Sequence, residues 1–598
     1  MQFWRVICYT IIMAAKASQK IAHALSKWRL HQHVYLSLLA ILIGILGGYG
    51  ALLFRYAIKV AQYCFYQNTH DVLTFAHTLP VYLKIGLPAL GGLVVGPIIY
   101  FGAREAKGHG VPEVMEAVAL KGGRIRPRVA LVKILASGIS IGSGGSVGRE
   151  GPIVQIGSSI GSSLAQILRV PHLRQRTLVG CGAAAGIAAT FNAPIAGALF
   201  AVEVLLGDFG VATFSPVVLS SVTATTISRY YLGDFPAFII PTYKLVSLWE
   251  FLFYPLLGVA AGFVALLFIF SLYKCEDLFE ALRIPDYLKP ALGGLMLGCL
   301  LWKWPYVFGV GYGSINLSLK NQLPALLLFT LVFIKILATS VTIGSGGSGG
   351  IFAPSLFIGA MTGGFFGWGV HELFPLLTAN SGAYALVAMG AVVAGTTHAP
   401  ITAIIIIFEL TATYKIILPL MISCILSTII TTSLKRGSIY TIKLFRRGIE
   451  ISHGWEQNIL QAIKVRDIMN DQVVTVPESM QLVDVINCLK TQDVSYLHVV
   501  SESHELIGII SFRDIRPVLQ EASLKQLVIA RDVATTDVTT IRPSDNIQLA
   551  LQEMGSRGIS QLPVVADDDS RKVIGTLSKK DVLAAYDKAV FHREIEEY

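Results

Sequence analysis

Four apolar runs, Tyr35–Phe54, Leu83–Tyr100, Phe251–Phe270 and Leu323–Ile343, each approach the ~20 residues that carry a helix across ~30 Å of hydrocarbon. A single soluble domain cannot house them, and the composition agrees, with 53% hydrophobic and only 14% charged residues. All four runs precede residue 450, and the charge divides at the same place. Residues 1–450 carry 33 basic and 16 acidic side chains, whereas residues 451–598 carry 15 and 22, so the net +10 is the balance of two unlike bodies. The basic excess of the first body flanks apolar segments as a positive-inside pattern would place it, which argues against a nucleic-acid partner and for a lipid bilayer. The seven cysteines show no CxxC spacing, so neither a disulfide framework nor a metal site is readable from them.

The expected organisation is an all-α polytopic membrane domain over 35–445, a linker over 446–463 and an α/β pair over 464–590. Residues 1–34 read as an amphipathic cytoplasmic segment. They lack a clear A-x-A cleavage site, and Lys16, Lys20, Lys27 and Arg29 follow the first apolar stretch. If the polar C-terminal body is also cytoplasmic, the number of crossings is even.

The membrane part repeats itself. At an offset of 202, KILASGISIGSGGSVGREGPIVQIG from Lys133 matches KILATSVTIGSGGSGGIFAPSLFIG from Lys335. At 206, AAGIAATFNAPIAGALFAVEV from Ala184 matches GAVVAGTTHAPITAIIIIFEL from Gly390, which superposes Glu203 on Glu409. Duplications of this size in a membrane chain mean two related halves around a central site; whether they run parallel or inverted is not written in the letters. Many of the apolar stretches are broken by Gly or Pro, at Gly142–Gly151, Gly344–Gly350, Ala193–Pro194 and Ala399–Pro400. Such breaks place helix ends inside the bilayer, where they are tolerated only if they face protein or a lined cavity. Helix starts carry unpaired N–H groups and about half a positive charge each, so several that converge make an anion site. Close packing through small residues is the alternative reading of any one glycine run.

Three segments together, GHGVPEV at Gly108–Val114, GREGP at Gly148–Pro152 and GIFAP at Gly350–Pro354, resemble the CLC family of chloride channels and chloride/proton exchangers over roughly 35–445. The resemblance implies an inverted repeat of broken and tilted helices and a homodimer with one pore per subunit. It also implies an anion site drawn from His109, Gly110, Arg149, Glu150, Gly151, Ile351, Phe352 and Tyr440, and no required cofactor. A carboxylate in an apolar glycine-rich turn is costly unless it acts. Glu150 resembles the family's gating glutamate: ionised, it can occupy an anion position; protonated, it loses that attraction and swings away. A neighbouring anion disfavours its ionised form through like-charge repulsion. A structural ion pair with Arg149 is the alternative. Phe352 takes the place of Glu150 in the second repeat, with the backbone N–H groups of Ile351 and Phe352 expected to face the anion and its ring free to pack in the core. Tyr440 resembles the central tyrosine that donates its hydroxyl to the anion, with an interfacial aromatic as the alternative.

Two positions depart from the family pattern. His109 stands where a serine is usual, so the inner donor becomes an imidazole or a backbone N–H; if the imidazole coordinates, its protonation near pH ~6.5 should strengthen anion binding. Val204 stands where many exchangers carry the internal proton relay, which leans the reading toward a passive channel gated by voltage or pH. The adjacent Glu203 is the candidate substitute on a proton pathway together with Glu150, although its repeat mate Glu409 argues equally for a structural role. The fluoride-selective branch usually departs from GREGP and GIFAP, both kept here, so chloride is the expected substrate.

After the basic run Lys435–Arg447 the chain duplicates again with a period near 66. VRDIMNDQVVTV from Val465 pairs with ARDVATTDVTTI from Ala530, and GIISFRDI from Gly508 with GTLSKKDV from Gly575. Helical patterns at Met480–Lys490 and Asn546–Gly555, with strands at Tyr496–Val500 and Leu562–Val565, give β-α-β-β-α units over 464–520 and 528–590. These resemble a tandem pair of CBS domains, which implies an adenosine nucleotide (ATP, ADP or AMP) as ligand. Ser511 and Ser578 can donate to phosphate, and Asp514 and Asp581 can accept from ribose hydroxyls. The same Ser-x-x-Asp pattern also caps a helix. The overall expectation is a multi-pass protein of a plasma or inner membrane that transports chloride through a Glu150-gated pore, with N-terminus and CBS pair cytoplasmic. A chloride/proton antiporter is the close rival. A CBS-regulated cation transporter is the remote one, because so few acids occur in 1–450. No Ser/His/Asp set, metal cluster or Walker loop suggests an enzyme.

Overall fold

A computed structural model of the chain describes residues 32–68, 72–234, 246–411, 414–449, 460, 463–492, 494, 496–516, 518 and 527–585. The N-terminal segment expected over 1–34 and the linker over 446–463 fall largely outside them. The chain divides into two compact units near residue 451.

In the first unit the four apolar runs lie within or begin at the edge of the helices Gln32–Tyr66, Val81–Pro97, Glu250–Ala281 and Ala325–Gly344, the second continued by a π-helical turn at Ile98–Gly102. Among the described residues six helices are long and apolar enough to cross a membrane, and the other two are Val211–Leu232 and Tyr414–Leu434. The first of these is easily overlooked because it is rich in Ser and Thr. Its hydroxyls turn back onto the preceding turn, as Ser215, Thr223 and Thr226 do toward the carbonyls of Val211, Leu219 and Val222, so an apolar environment meets few free polar atoms.

Every predicted break is a helix boundary. Helices end at Gly142 and Gly344, and new ones begin at Glu150 and Phe352. The second pair of breaks is set by Asn192 and His398, each in the left-handed conformation (φ 59° and 56°), which closes the helices His172–Phe191 and Ser381–Thr397 before Pro194 and Pro400 restart the chain. Proline suits that first position because the N–H it lacks would have no intrahelical acceptor there.

The relation between the halves is visible in what they exchange. Gly148 and Gly350, equivalent at the 202 offset, pair with each other in antiparallel register through reciprocal N–H to carbonyl bonds of 2.7 and 2.6 Å. Equivalent residues that pair antiparallel must lie across a local two-fold axis, so the two halves run in opposite directions through this point. The same exchange recurs further out. Ser146 of the first half donates to the Val307 carbonyl of the second (2.8 Å), and Ser348 of the second donates to Ala106 of the first (2.9 Å). Glu203 accepts from the N–H groups of Ile401 and Thr402 (3.1 and 2.7 Å), and Glu409 accepts from those of Ile195 and Ala196 (3.0 and 2.7 Å). Each glutamate therefore caps the broken helix of the opposite half, where unpaired N–H groups would otherwise face a low dielectric.

The second unit holds two small sheets. In the first, β1 (Thr475–Pro477) pairs parallel with β2 (Tyr496–Val500), which pairs antiparallel with β3 (Leu506–Ser511); in the second, β4 (Gln561–Val565) pairs antiparallel with β5 (Val573–Ser578). The predicted helices appear at Leu482–Thr491 and Ile547–Arg557. The first strand expected in the second repeat is reduced to one parallel bridge, Ile541 to Val564. The opening turns of the two repeats change places: Val465 is buried in the core built by Ile547, Leu562 and Leu577, and Ala530 in the core built by Leu482, Leu497 and Ile510. The pair is thereby tied into one body.

Candidate anion site

Four helices start close to one another. They are α1 (Val111–Leu120), α2 (Glu150–Ile167), α3 (Phe352–Leu373) and α4 (Thr441–Arg446). The loops before the first three are stitched together by their backbones. Gly108 N–H donates to Gly347, Gly349 N–H donates to Gly108, and Gly350 pairs with Gly148. Gly108 and Gly110 take positive φ (76° and 83°), which lets the loop fold flat over the start of α2; a Cβ on Gly110 would reach 2.7 Å from Gln155 Oε1. Two buried lysines, equivalent at the 202 offset, hold these loops in shape. Lys133 Nζ donates to the carbonyls of Ala106 and Gly108 (3.0 and 2.8 Å), and Lys335 Nζ donates to Gly309 and to Ser146 Oγ (3.0 and 2.9 Å).

Glu150, 2% exposed, opens α2, and its carboxylate lies across the start of α3. Oε2 faces the backbone N–H of Ala353 at 3.4 Å, and Oε1 accepts from the Tyr312 hydroxyl at 3.0 Å. Among the described residues no ion pair joins Glu150 to Arg149. The Arg149 guanidinium instead donates to the Thr190 carbonyl (3.3 Å) and covers the Tyr312 ring at 5.4 Å from its centroid. Gly151 lies directly against the backbone of the His109 loop, with the carbonyl oxygen of His109 where a Cβ would stand. The His109 imidazole is buried, and its ring lies 5.6 Å from that of Tyr440, itself buried just before α4. Ile351 and Phe352 are buried at the start of α3, and the Phe352 ring packs 5.7 Å from Phe191. The predicted anion residues are thus gathered in one place. Glu203 belongs to the helix cap described above and Val204 is half-buried beside it.

Three polar atoms in or beside this cluster, His109 Nδ1, Arg149 Nε and Gln155 Oε1, are buried without a hydrogen-bond partner among the described residues. An unpaired guanidinium N–H beside a helix start is a donor suited to an anion. The site is flanked by two cavities. One, of about 380 Å³, is lined by Arg149 and Gly309–Ser314; the other, of about 430 Å³, by Arg104, Glu113, Gln155 and Arg447. Arg149, the N-cap of α2, and Gln155 within it lie six positions apart, ~9 Å along the axis, so the two cavities meet α2 at different heights.

Sequence reasoning missed Tyr312. A signal exists: at an offset of 201, AKGHGVPEV from Ala106 overlies VFGVGYGSI from Val307, with Gly110 on Gly311 (φ 83° and 88°) and Val111 on Tyr312. Only glycines match, so similarity of side chains gives no hint. The ion pair of Glu113 on α1 with Lys443 on α4 (2.8 Å) was equally invisible, because 330 residues separate the partners.

In the second unit, the Ser511 and Ser578 hydroxyls donate to Asp514 and Asp581, both at 2.6 Å, and the same carboxylates accept from the Ser511 and Ser578 N–H groups. Both motifs are helix caps as they stand.

The profile described as voltage gated chloride channel matches residues 91–432, and CBS domain profiles match 465–521 and 530–588. A putative chloride channel protein ClcB-like from Ralstonia nicotianae is 37% identical over 411 residues, 68% of this chain and 95% of that protein. The voltage-gated ClC-type chloride channel ClcB of Escherichia coli is 32% identical over 408 residues, 67% of this chain and 97% of that protein. The crystal structure of a slow cyanobacterial Cl−/H+ antiporter superposes with a TM-score of 0.63 at 27% identity, covering 70% of this chain and 98% of that one. With its antiparallel halves, converging glycine loops and C-terminal CBS pair, this chain is a multi-pass membrane protein that belongs to the CLC family of chloride transport proteins.

Proposed function

We propose that the protein conducts chloride passively through a pathway closed by the Glu150 carboxylate and opened by its protonation or displacement. The observation that carries this reading is the seat of that carboxylate. It meets a backbone N–H at the start of a 22-residue helix and a phenol hydroxyl, and no salt bridge reaches it among the described residues. A dehydrated halide needs the same company, since burying an ion without compensating donors costs tens of kcal/mol in a low dielectric. His109, Gly110, Gly151, Ile351, Phe352 and Tyr440 complete the proposed site, with Arg149 at its mouth. Family precedent supports a homodimer with one pathway in each subunit, and a cytoplasmic CBS pair.

Chloride/proton exchange is the second reading, favoured by the likeness to the cyanobacterial antiporter. Against it, Val204 cannot carry a proton, and Glu203 already accepts from Ile401, Thr402 N–H and the Thr402 hydroxyl. The deciding experiment is chloride flux from liposomes with simultaneous proton recording. Passive conduction predicts no proton uptake against a gradient when chloride runs downhill; stoichiometric proton pumping would establish the exchanger instead.

The CBS pair is proposed as the modulating module, with an adenosine nucleotide as its ligand. To bind one, Ser511 and Asp514, or Ser578 and Asp581, must exchange their mutual bonds for phosphate and ribose. Titration calorimetry on the full-length protein with AMP, ADP and ATP checks this. Heat with at least one is expected, and none with any of the three would leave the motifs as caps.

A further inference from the structure

The proposed gate has a partner that the first half of the chain does not supply. Tyr312 follows the left-handed Gly311 and opens the helix Tyr312–Leu319; its hydroxyl donates to Glu150 Oε1 at 3.0 Å. Its counterpart in the first half, Val111, carries no donor. The second half thus reaches across the pseudo-two-fold axis to hold the acid of the first. The Tyr312 ring is itself held, because the Arg149 guanidinium lies over its face. The charged and titratable groups that face the Glu150 carboxylate are Arg149, Lys335, Tyr312 and Tyr440. Of these, Tyr312 is the one whose side chain hydrogen-bonds it among the described residues.

We propose that Tyr312 is the latch of the gate, a positioning residue whose hydroxyl keeps the ionised Glu150 carboxylate in the anion's seat and releases it on protonation. The proposal rests on the gating role of Glu150. Its physical basis is the asymmetry of the bond: a hydroxyl donating to a carboxylate makes a charge-assisted bond about twice as strong as one to a neutral acid. The latch therefore holds the closed, ionised state and adds little to the protonated one. Without it, less acid suffices to free the gate.

The test measures chloride efflux from liposomes holding the full-length protein, between about pH 4.5 and 8, for the native chain, Tyr312→Phe, Glu150→Gln and the double variant. Phenylalanine keeps the ring beneath Arg149 and removes only the hydroxyl. In Tyr312→Phe, half-maximal flux is expected about one unit higher in pH and flux at pH 7.5 about tenfold larger, the scale of one hydrogen bond to a charged group. In the Glu150→Gln background the same substitution should leave the pH profile flat, whatever it does to the size of the flux, because no carboxylate remains to be latched. A Tyr312→Phe midpoint within about 0.3 unit of native, alongside a flattened Glu150→Gln profile, overturns the latch alone. An equal shift in both backgrounds also overturns it. A Glu150→Gln protein that keeps the native profile overturns the gate and the latch together.

Discussion

Glu150→Gln is expected to keep chloride flux and to lose its pH dependence. The native carboxylate is buried and seated at the start of α3, where, in the proposed gate, its ionised form competes with the transported anion. On the proposed mechanism only the protonated fraction leaves the pathway open. That fraction rises about tenfold per unit of acidification above the titration midpoint. A glutamine side chain is nearly isosteric and permanently neutral, so it has no electrostatic hold on the helix start and resembles the protonated acid at every pH. Flux at pH 7.5 should therefore match or exceed the native value at its acidic maximum, and vary less than about twofold over three pH units. The check is chloride efflux from liposomes across that range, normalised to folded protein by size-exclusion chromatography. Flux that is abolished, or that keeps the native profile, would remove Glu150 from the gate.

Gly151→Ala is expected to cost the fold itself. A Cβ there would stand on the His109 carbonyl oxygen and 3.1 Å from Gly350 Cα, atoms of two other glycine loops with no flexible side chain able to yield. Overpacking a close-packed site costs ~1–3 kcal/mol, and more where backbone meets backbone, so at least a tenfold loss of monodisperse protein is expected. Gly138→Ala is the control. It sits in the helix Arg128–Gly142, where the nearest atom to a Cβ is Ala57 Cβ at 3.5 Å, ordinary contact distance, so yield and flux should remain near native. If Gly151→Ala expresses and conducts as well as Gly138→Ala, the three loops do not meet in direct backbone contact at Gly151.

The parts of the molecule that were legible in the sequence are those fixed locally. Apolar length revealed four of the six spans, while Val211–Leu232 hid behind hydroxyls that its own carbonyls satisfy. Gly142, Gly344, Pro194 and Pro400 announced their boundaries, since glycine and proline act on the backbone wherever they stand. The 202 and 206 offsets identified the two halves, and Glu150, His109 and Phe352 followed from the glycine runs and the family resemblance. What the letters withheld is what passes between the halves. Glu203 stood in the sequence both as a candidate for the proton pathway and as a structural residue; the N–H of Ile401 that donates to it lies 198 positions away in the other repeat, a contact the letters do not show. Tyr312 went unnoticed for the same reason, because its partner is across the axis rather than along the chain. In the CBS pair the exchange of Val465 and Ala530 between cores is likewise a long-range fact, although each repeat's helices and most of its strands were plain from their periodicity. A duplicated sequence discloses its equivalent positions; the antiparallel pairing of Gly148 with Gly350 is what turns that equivalence into a site.

The central claim is that the acid side chain and the anion share one seat. Anomalous diffraction from bromide-soaked crystals of Glu150→Gln addresses it most directly. Bromide density within hydrogen-bond reach of the Ala353 N–H and the Tyr312 hydroxyl is the predicted result. A conducting Glu150→Gln protein with bromide ordered elsewhere in the membrane domain and none at that position would contradict it.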